Sequence, residues 1–324
     1  MSKSIHEMIV KAGEITLTEA VELAKHPDKE ALYRAANEIR EKFCGNVFDT
    51  CSVMSARSGL CSEDCKWCAQ SVKHKTNINI LPMVDIADAL DCATKNYVAG
   101  IKRFSLVTSG KSVVREEVRK FCEMYKLIRE KTGLQLCASM GLLGKEEMLL
   151  LKEVGVSRYH CNLEAAPSFF PEVCTTHTLD AKKQTLLFAK ECGLDMCSGG
   201  IIGMGETMEQ RLELAFELRA FGVKSVPMNI LNPIAGTALE NAPPLSDDEI
   251  LTTIAMFRFI LPDAFIRFAG GRIKMSEELQ IRALQSGINA AIMGDMLTTC
   301  GPSIEKDYDM LRKVDWCNKG GLFS

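Results

Sequence analysis

Nothing in this chain of 324 residues has the length and apolarity of a membrane span, since no apolar run reaches about 18 residues. The start, Met1-Ser2-Lys3-Ser4-Ile5-His6-Glu7, lacks the apolar centre of a secretion signal. An excess of one charge is also lacking: 39 Lys and Arg stand against 42 Asp and Glu, a formal net charge of −3. No electrostatic pull toward nucleic acid or anionic lipid follows. Low-complexity tracts, long linkers and obvious repeats are absent, so nothing divides a chain that could be one large domain or two small ones. Cysteine, by contrast, is plentiful, at 14 residues. Without a secretion signal, these argue against a disulfide framework and for a reducing, cytoplasmic setting with metal or redox chemistry. Several can still be small packing residues.

The chain is organised around Gly59-Leu60-Cys61-Ser62-Glu63-Asp64-Cys65-Lys66-Trp67-Cys68-Ala69-Gln70, where three cysteines stand at spacings of four and three residues. A tight loop at this spacing can aim three thiolates at one centre. A closed zinc site wants four ligands, often as two Cys-x-x-Cys pairs. Only one such pair is present and no His follows at finger spacing. A four-iron cluster held by Cys61, Cys65 and Cys68, with one iron open to a small molecule, fits better.

Residues 4–43 carry helical periodicity split by His26-Pro27, which predicts a helical preface. Beyond Val47 short strand-like runs at 48–54, 103–108, 135–139, 158–163, 195–202, 226–232, 265–269 and 290–293 alternate with helices near 84–97, 114–132, 145–153, 180–191, 206–221, 246–260 and 276–286. Eight strands alternating with helices predict an α/β fold, a (β/α)8 TIM-type barrel with an N-terminal helical extension, ahead of an open doubly wound sheet. The expected organisation is an extension over 1–43, a barrel over 44–300 and a partly mobile C-terminal tail over 301–324. Barrel chemistry sits at the C-terminal ends of the strands, and the three-cysteine loop follows the first strand directly.

Other candidates lie along these strands. Period two puts Asn162 and Glu164 on one face of strand four, suited to ribose hydroxyls and a polar substrate. Asn229 is an amide in an apolar strand and needs partners. Arg267, among Phe265, Ile266 and Phe268, needs an anion, and Arg103 is a second residue of this kind. Cys137 and Cys197 are each, taken alone, more readily core than ligand. The glycines after Cys197, from Gly199, would let a bulky cofactor approach the backbone.

The three-cysteine loop on this architecture resembles the radical S-adenosylmethionine enzymes. Ser58-Gly59-Leu60-Cys61, Cys174-Thr175-Thr176-His177-Thr178, Cys197-Ser198-Gly199-Gly200-Ile201, Ser225-Val226-Pro227-Met228-Asn229 and Ile266-Arg267-Phe268-Ala269-Gly270-Gly271-Arg272 narrow the resemblance to the biotin synthase family, from about residue 40 to the end. The resemblance implies a [4Fe–4S] cluster on Cys61, Cys65 and Cys68 that binds S-adenosyl-L-methionine and yields a 5′-deoxyadenosyl radical. No side chain is then a catalyst in its own right, because the cofactors carry the hard chemistry. The radical would take hydrogen from dethiobiotin, and an auxiliary Fe–S cluster would supply sulfur. Trp67, Asn162, Glu164, His177, Lys182, Gly199 and Ile201 would contact the cofactor; Asn162, Asn229, Arg57 and Thr298 would contact substrate. A flavodoxin or ferredoxin as electron donor, and a homodimer, are implied in the same way.

Two departures from the family pattern stand out. The usual auxiliary [2Fe–2S] cluster takes three cysteines and an arginine; Cys137, Cys197 and Arg267 match, but the remaining position holds Ser105. Cys51, at even spacing from Ser55 and Arg57, would share their inward face, whereas Cys161 would turn outward from Asn162 and Glu164. Cys51, Cys137 and Cys197 could thus hold a variant auxiliary cluster, of two irons as in the family or of four, with an open iron in the four-iron form to carry the sulfide. His177 stands where some members have an arginine that pairs with the cofactor carboxylate, and Lys182 is available for that role. Cys44, Cys92, Cys122, Cys192 and Cys317 are expected to be structural. The rival readings are a related radical enzyme acting on another small substrate, such as a cofactor maturase, and a non-catalytic Fe–S or zinc sensor.

Overall fold

A computed structural model describes residues 5–294, 303–314 and 316. Eight parallel staves form a closed barrel. They are β1 (Asp49–Arg57), β2 (Arg103–Thr108), β3 (Gln135–Ser139), β4 (Val156–His160), a divided fifth stave β5 (Asp195–Cys197) and β6 (Gly200–Ile202), then β7 (Ser225–Ile230), β8 (Phe265–Phe268) and β9 (Ala290–Ile292). β1 pairs with both β2 and β9, and β7 pairs with both β5 and β6, so the sheet has no free edge.

The helices are α1 (Ile5–Val10), α2 (Leu17–Ala24), α3 (Lys29–Cys44), α4 (Ile86–Val98), α5 (Arg115–Lys131), α6 (Lys145–Glu153), α7 (Phe170–Val173), α8 (Leu179–Glu191), α9 (Met208–Phe221), α10 (Asp247–Ile260), α11 (Glu277–Leu284) and α12 (Ile304–Lys313). Their starts are written locally: Thr16 with Glu19, Thr207 with Gln210 and Ser246 with Glu249 each close a capping box that satisfies free backbone N–H groups. α10 is buried from Ile250 to Ile260 because the barrel lies on one side and the N-terminal extension on the other. At its end Arg258 is fully buried and donates to the carbonyls of Gly287, Pro262 and Ala264 and to Asn289 Oδ1, closing the N-terminal face of the barrel.

Two expectations change. β4 ends at His160, so Asn162 and Glu164 stand on the loop just past the strand rather than within it. Glu164 has φ +73, a conformation rare outside glycine, which turns the chain across the barrel mouth. The single strand over 195–202 is broken at Ser198-Gly199, where Gly199 N donates to Asn162 Oδ1 at 2.9 Å in place of a ladder bond. A Cβ on Gly199 would meet the Pro227 carbonyl oxygen at 1.9 Å, and one on Gly200 the Glu164 carbonyl oxygen at 2.5 Å. These glycines are there for close backbone approach. The expected tail contains α12, tied to the barrel by a bidentate pair between the buried Arg272 and Asp307, 2.7 and 2.8 Å.

Candidate active site at the barrel mouth and lumen

The loop after β1 is set by backbone bonds before any metal enters. Cys61 N donates to Gln70 O and Val72 N to Cys61 O, pinching its two ends together. Lys66 N donates to Val173 O, and Asp64 accepts from the N–H groups of Thr175 and Thr176, which fastens the loop to the segment after α7. Burial works to raise the Asp64 carboxyl, but the backbone and hydroxyl donors of Thr175 and Thr176 together outweigh it and hold it far below its usual range. Cys61, Cys65 and Cys68 thereby line one mouth cavity of about 200 Å³ together with Trp67, Cys161, Glu164, His177 and Lys182. Burial pushes the Cys68 thiol up to about 11, with Cys61 adding to the effect. Burial also works against the Lys182 ammonium, but Cys161, Glu164, Cys65 and Cys174 outweigh it and hold the charge in place. Three thiols facing one cation are a donor set for an anionic iron–sulfur group.

Below lies a second cavity of about 370 Å³, within the barrel. Trp67, Ser139, His160, Asn162 and Glu164 line both cavities and form their common wall. The lower one brings together Cys51, Cys137, Cys197, Ser105, Arg267, Asn229 and Ile201 from six of the eight staves. Cys51 Sγ donates to the Ser52 carbonyl at 3.6 Å, and its neighbour Cys137 holds the Cys51 thiol high while itself being held low. Burial would raise Cys197, yet His160, with Nδ1 3.4 Å from its Sγ, and Arg267 and Arg158 bring it down to about 6. Asn229 is held at both ends, Nδ2 on Gly200 O at 3.1 Å and Oδ1 on Gly270 N at 2.8 Å.

The floor of this cavity holds a charge cluster that strand periodicity can point to but that the sequence reading missed in part. Asp49 contacts Arg267 Nη2 at 2.7 Å, Arg103 Nε at 3.1 Å and Arg158 Nη1 at 3.4 Å. One carboxylate therefore faces three guanidinium groups. Arg158 Nε, Arg267 Nε and Arg267 Nη1 are buried with no hydrogen-bond partner. Buried donors of this kind call for an anion, and thiolates with bridging sulfides fit. Asp49, Arg158 and His160 were readable: Arg158 and His160 share the parity of Asn162, and Asp49 that of Cys51.

Burial works to raise the Asp49 carboxyl, but the three arginines bring it down to about 2. A depressed carboxyl adds stability that is complete above its unfolded value and is lost as pH falls through the folded one. The cluster-free chain should therefore lose about 2 kcal/mol between roughly pH 4 and pH 2. Asp49→Asn should cost about 3–5 kcal/mol at neutral pH, because three buried cations lose their partner. Urea unfolding followed by circular dichroism checks both; an Asp49→Asn variant as stable as the parent chain would contradict them.

Some expected residues are not brought to the cavity. Arg57 instead bonds Glu117 Oε2 and Ser109 O, each at 2.6 Å, because the β1–β2 register shifts between Ser55 and Arg57 and breaks the alternation. Gly199 does not line it either, being packed against Pro227. Cys161, expected to face away, is buried in the wall of the mouth cavity. His177 lines the mouth with Nδ1 2.6 Å from Glu63 Oε2. Thr298 and Cys317 lie outside the described residues.

The model of the Radical SAM superfamily matches residues 57–218, and that of the Biotin and Thiamin Synthesis associated domain matches residues 227–316. Biotin synthase of Parabacteroides distasonis is 48% identical over 316 residues, covering 95% of this chain and 97% of its own. Those of Porphyromonas gingivalis and Acetivibrio thermocellus are each 49% identical, covering 97% and 93% of this chain and 95% and 94% of their own. Among solved structures, methylornithine synthase superposes with a TM-score of 0.81 at 18% identity, covering 97% of this chain and 96% of that one. The FeFe-hydrogenase maturase HydG from Carboxydothermus hydrogenoformans gives 0.81 at 18%, covering 95% and 78%. At such identity the likeness to these two speaks for the barrel alone. With the relatives matched over nearly their whole length, the chain belongs to the biotin synthase family of the radical S-adenosylmethionine superfamily.

Proposed function

We propose that the protein is a biotin synthase, converting dethiobiotin to biotin by radical sulfur insertion. The observation that carries the reading is the pair of adjoining cavities with a shared wall, one lined by three loop cysteines and the other by three strand cysteines over an arginine cluster. When bound, a [4Fe–4S] cluster with S-adenosylmethionine supplies the 5′-deoxyadenosyl radical, and an auxiliary cluster supplies the sulfur. Cys61, Cys65 and Cys68 would hold the first; Cys51, Cys137 and Cys197, with Arg267, would hold the second. Ser105 faces the same cavity, but a serine hydroxyl is a poor iron ligand beside thiolate. Cys51 lines the same cavity as Cys137 and Cys197, which supports a thiolate set without Ser105, and a four-iron auxiliary cluster is the variant proposed.

The chain's own residues position and shield. Lys182 keeps its ammonium charged at the mouth and suits the cofactor carboxylate. Asn162 and Glu164, bonded to each other at 3.2 Å, stand on the shared wall where ribose and substrate would meet. Ile201 and Trp67 supply apolar wall, and Asn229 a fixed amide. His177 is held by Glu63 within the same mouth. Domain limits of 1–43, 44–300 and 301–324, a flavodoxin or ferredoxin as electron donor, a homodimer and a cytoplasmic location belong to the same proposal. Among the described residues no helix is long and apolar enough to cross a membrane.

Anaerobic protein reconstituted with iron and sulfide, then given S-adenosylmethionine, reductant and dethiobiotin, should form 5′-deoxyadenosine and biotin. Formation of 5′-deoxyadenosine with no biotin would move the protein to another substrate; formation of neither would remove the radical reading.

A further inference from the structure

Cys174 has no part in either proposed cluster, yet it is buried against a cluster cysteine. Its Sγ lies 3.7 Å from Cys65 Sγ and 3.4 and 3.7 Å from His177 Nδ1 and Nε2, and one ligand atom from each of the three residues falls within 4.8 Å of the others. Each iron of a cubane takes one thiolate, so two thiols this close are not arranged as cluster corners. The two sulfurs are spaced as ligands of one ion, since zinc–sulfur bonds of about 2.3 Å at a tetrahedral angle put them about 3.8 Å apart, and a turn of the His177 ring brings Nε2 to the zinc–nitrogen distance of about 2.0–2.1 Å.

We propose that Cys65, Cys174 and His177 bind a single thiophilic divalent cation of the zinc class when the chain carries no cluster at the mouth. His177 is set for this role. Its Nδ1 is 2.6 Å from Glu63 Oε2, so Nδ1–H donates to that carboxylate and the Nε2 lone pair is left for the metal. This is the carboxylate–histidine–metal arrangement common to protein metal sites. Both His177 and Glu63 are buried, with side chains 7% and 8% exposed. Asp64 fixes the backbone on the far side by accepting from Thr175 N and Thr176 N, so Cys174 is held before any ion arrives. Three protein ligands leave a fourth position for water or a further donor.

The consequence rests on the mouth-cluster reading above: Cys65 cannot serve both sites. A cation held here withholds Cys65 and blocks cluster assembly.

The test uses the full-length, reduced, cluster-free protein under anaerobic conditions, titrated with Co2+ as the spectroscopic probe. One tight site with thiolate-to-cobalt charge-transfer and tetrahedral d–d bands is expected. Cys174→Ser should weaken it by more than about 100-fold and Glu63→Gln by about 10–100-fold, the latter being the usual effect of an outer partner. Cys61→Ala and Cys68→Ala should leave it unchanged. A site unaffected by Cys174→Ser, or abolished by Cys61→Ala or Cys68→Ala, would overturn the proposal, since the ion would then belong to the three-cysteine loop itself. In a second arm, Zn2+ added before iron and sulfide should suppress the mouth cluster's absorbance in the parent chain and not in Cys174→Ser. A confirmed cobalt site with no such suppression would overturn the exclusion of the cluster while leaving the cation site standing.

Discussion

Cys61→Ala, Cys65→Ala and Cys68→Ala should each abolish 5′-deoxyadenosine formation from S-adenosylmethionine and reductant. Losing an outer partner of a metal ligand costs about 10–100-fold, so losing a thiolate that carries iron should exceed that, to more than about 1,000-fold. The loss is not a folding effect. The loop is closed by backbone bonds at Cys61 and Val72 and stapled through Asp64 to Thr175 and Thr176, none of which uses a thiol. Each variant should therefore keep the parent chain's circular dichroism and melting temperature in the cluster-free state. Product analysis by liquid chromatography checks the first half and a thermal melt the second. A variant that still forms 5′-deoxyadenosine at a tenth or more of the parent rate would remove its cysteine from the ligand set.

A different result is expected one layer down. Cys137→Ala and Cys197→Ala should keep 5′-deoxyadenosine formation and lose biotin altogether, because the lower cavity is proposed to hold sulfur and not the radical source. Iron and sulfide per chain should fall to the content of one four-iron cluster. Cys51→Ala should do the same, whereas Ser105→Ala should leave both counts where they were. A two-iron auxiliary cluster that survives Cys51→Ala would show that Cys51 is a bystander, despite its place in the same cavity as Cys137. The arginines give these variants a further mark. Arg267 and Arg158 carry buried donors without partners, and the anion they face is what the cysteines would hold. The loaded parent chain should thus be more resistant to urea than the loaded Cys197→Ala chain.

The barrel was legible because its signals are local. Eight strand-like runs alternate with stretches of helical periodicity, and caps such as Thr207 with Gln210 mark where helices begin. The family resemblance grouped Cys137, Cys197 and Arg267, and alternation along β1 added Cys51; all four line one cavity. The same rule, carried two residues further, would have reached Arg158, His160 and Asp49. Alternation failed at Arg57, since the register shift after Ser55 is set by how β1 meets β2 and not by β1's own residues. It failed again for Gly199, where a strand break depends on how closely the Pro227 carbonyl approaches. The grouping of Cys65, Cys174, His177 and Glu63 could not be read at all. It arises from loops more than a hundred residues apart, tied together by Asp64.

The central claim is that sulfur held over Arg267 by Cys137 and Cys197 becomes the sulfur of biotin. It is tested most directly by reconstituting the protein with sulfide of a heavy sulfur isotope, removing free sulfide, and allowing one turnover with dethiobiotin. Mass spectrometry of the product should show biotin carrying the heavy isotope. Biotin carrying sulfur of natural isotopic abundance would contradict the account.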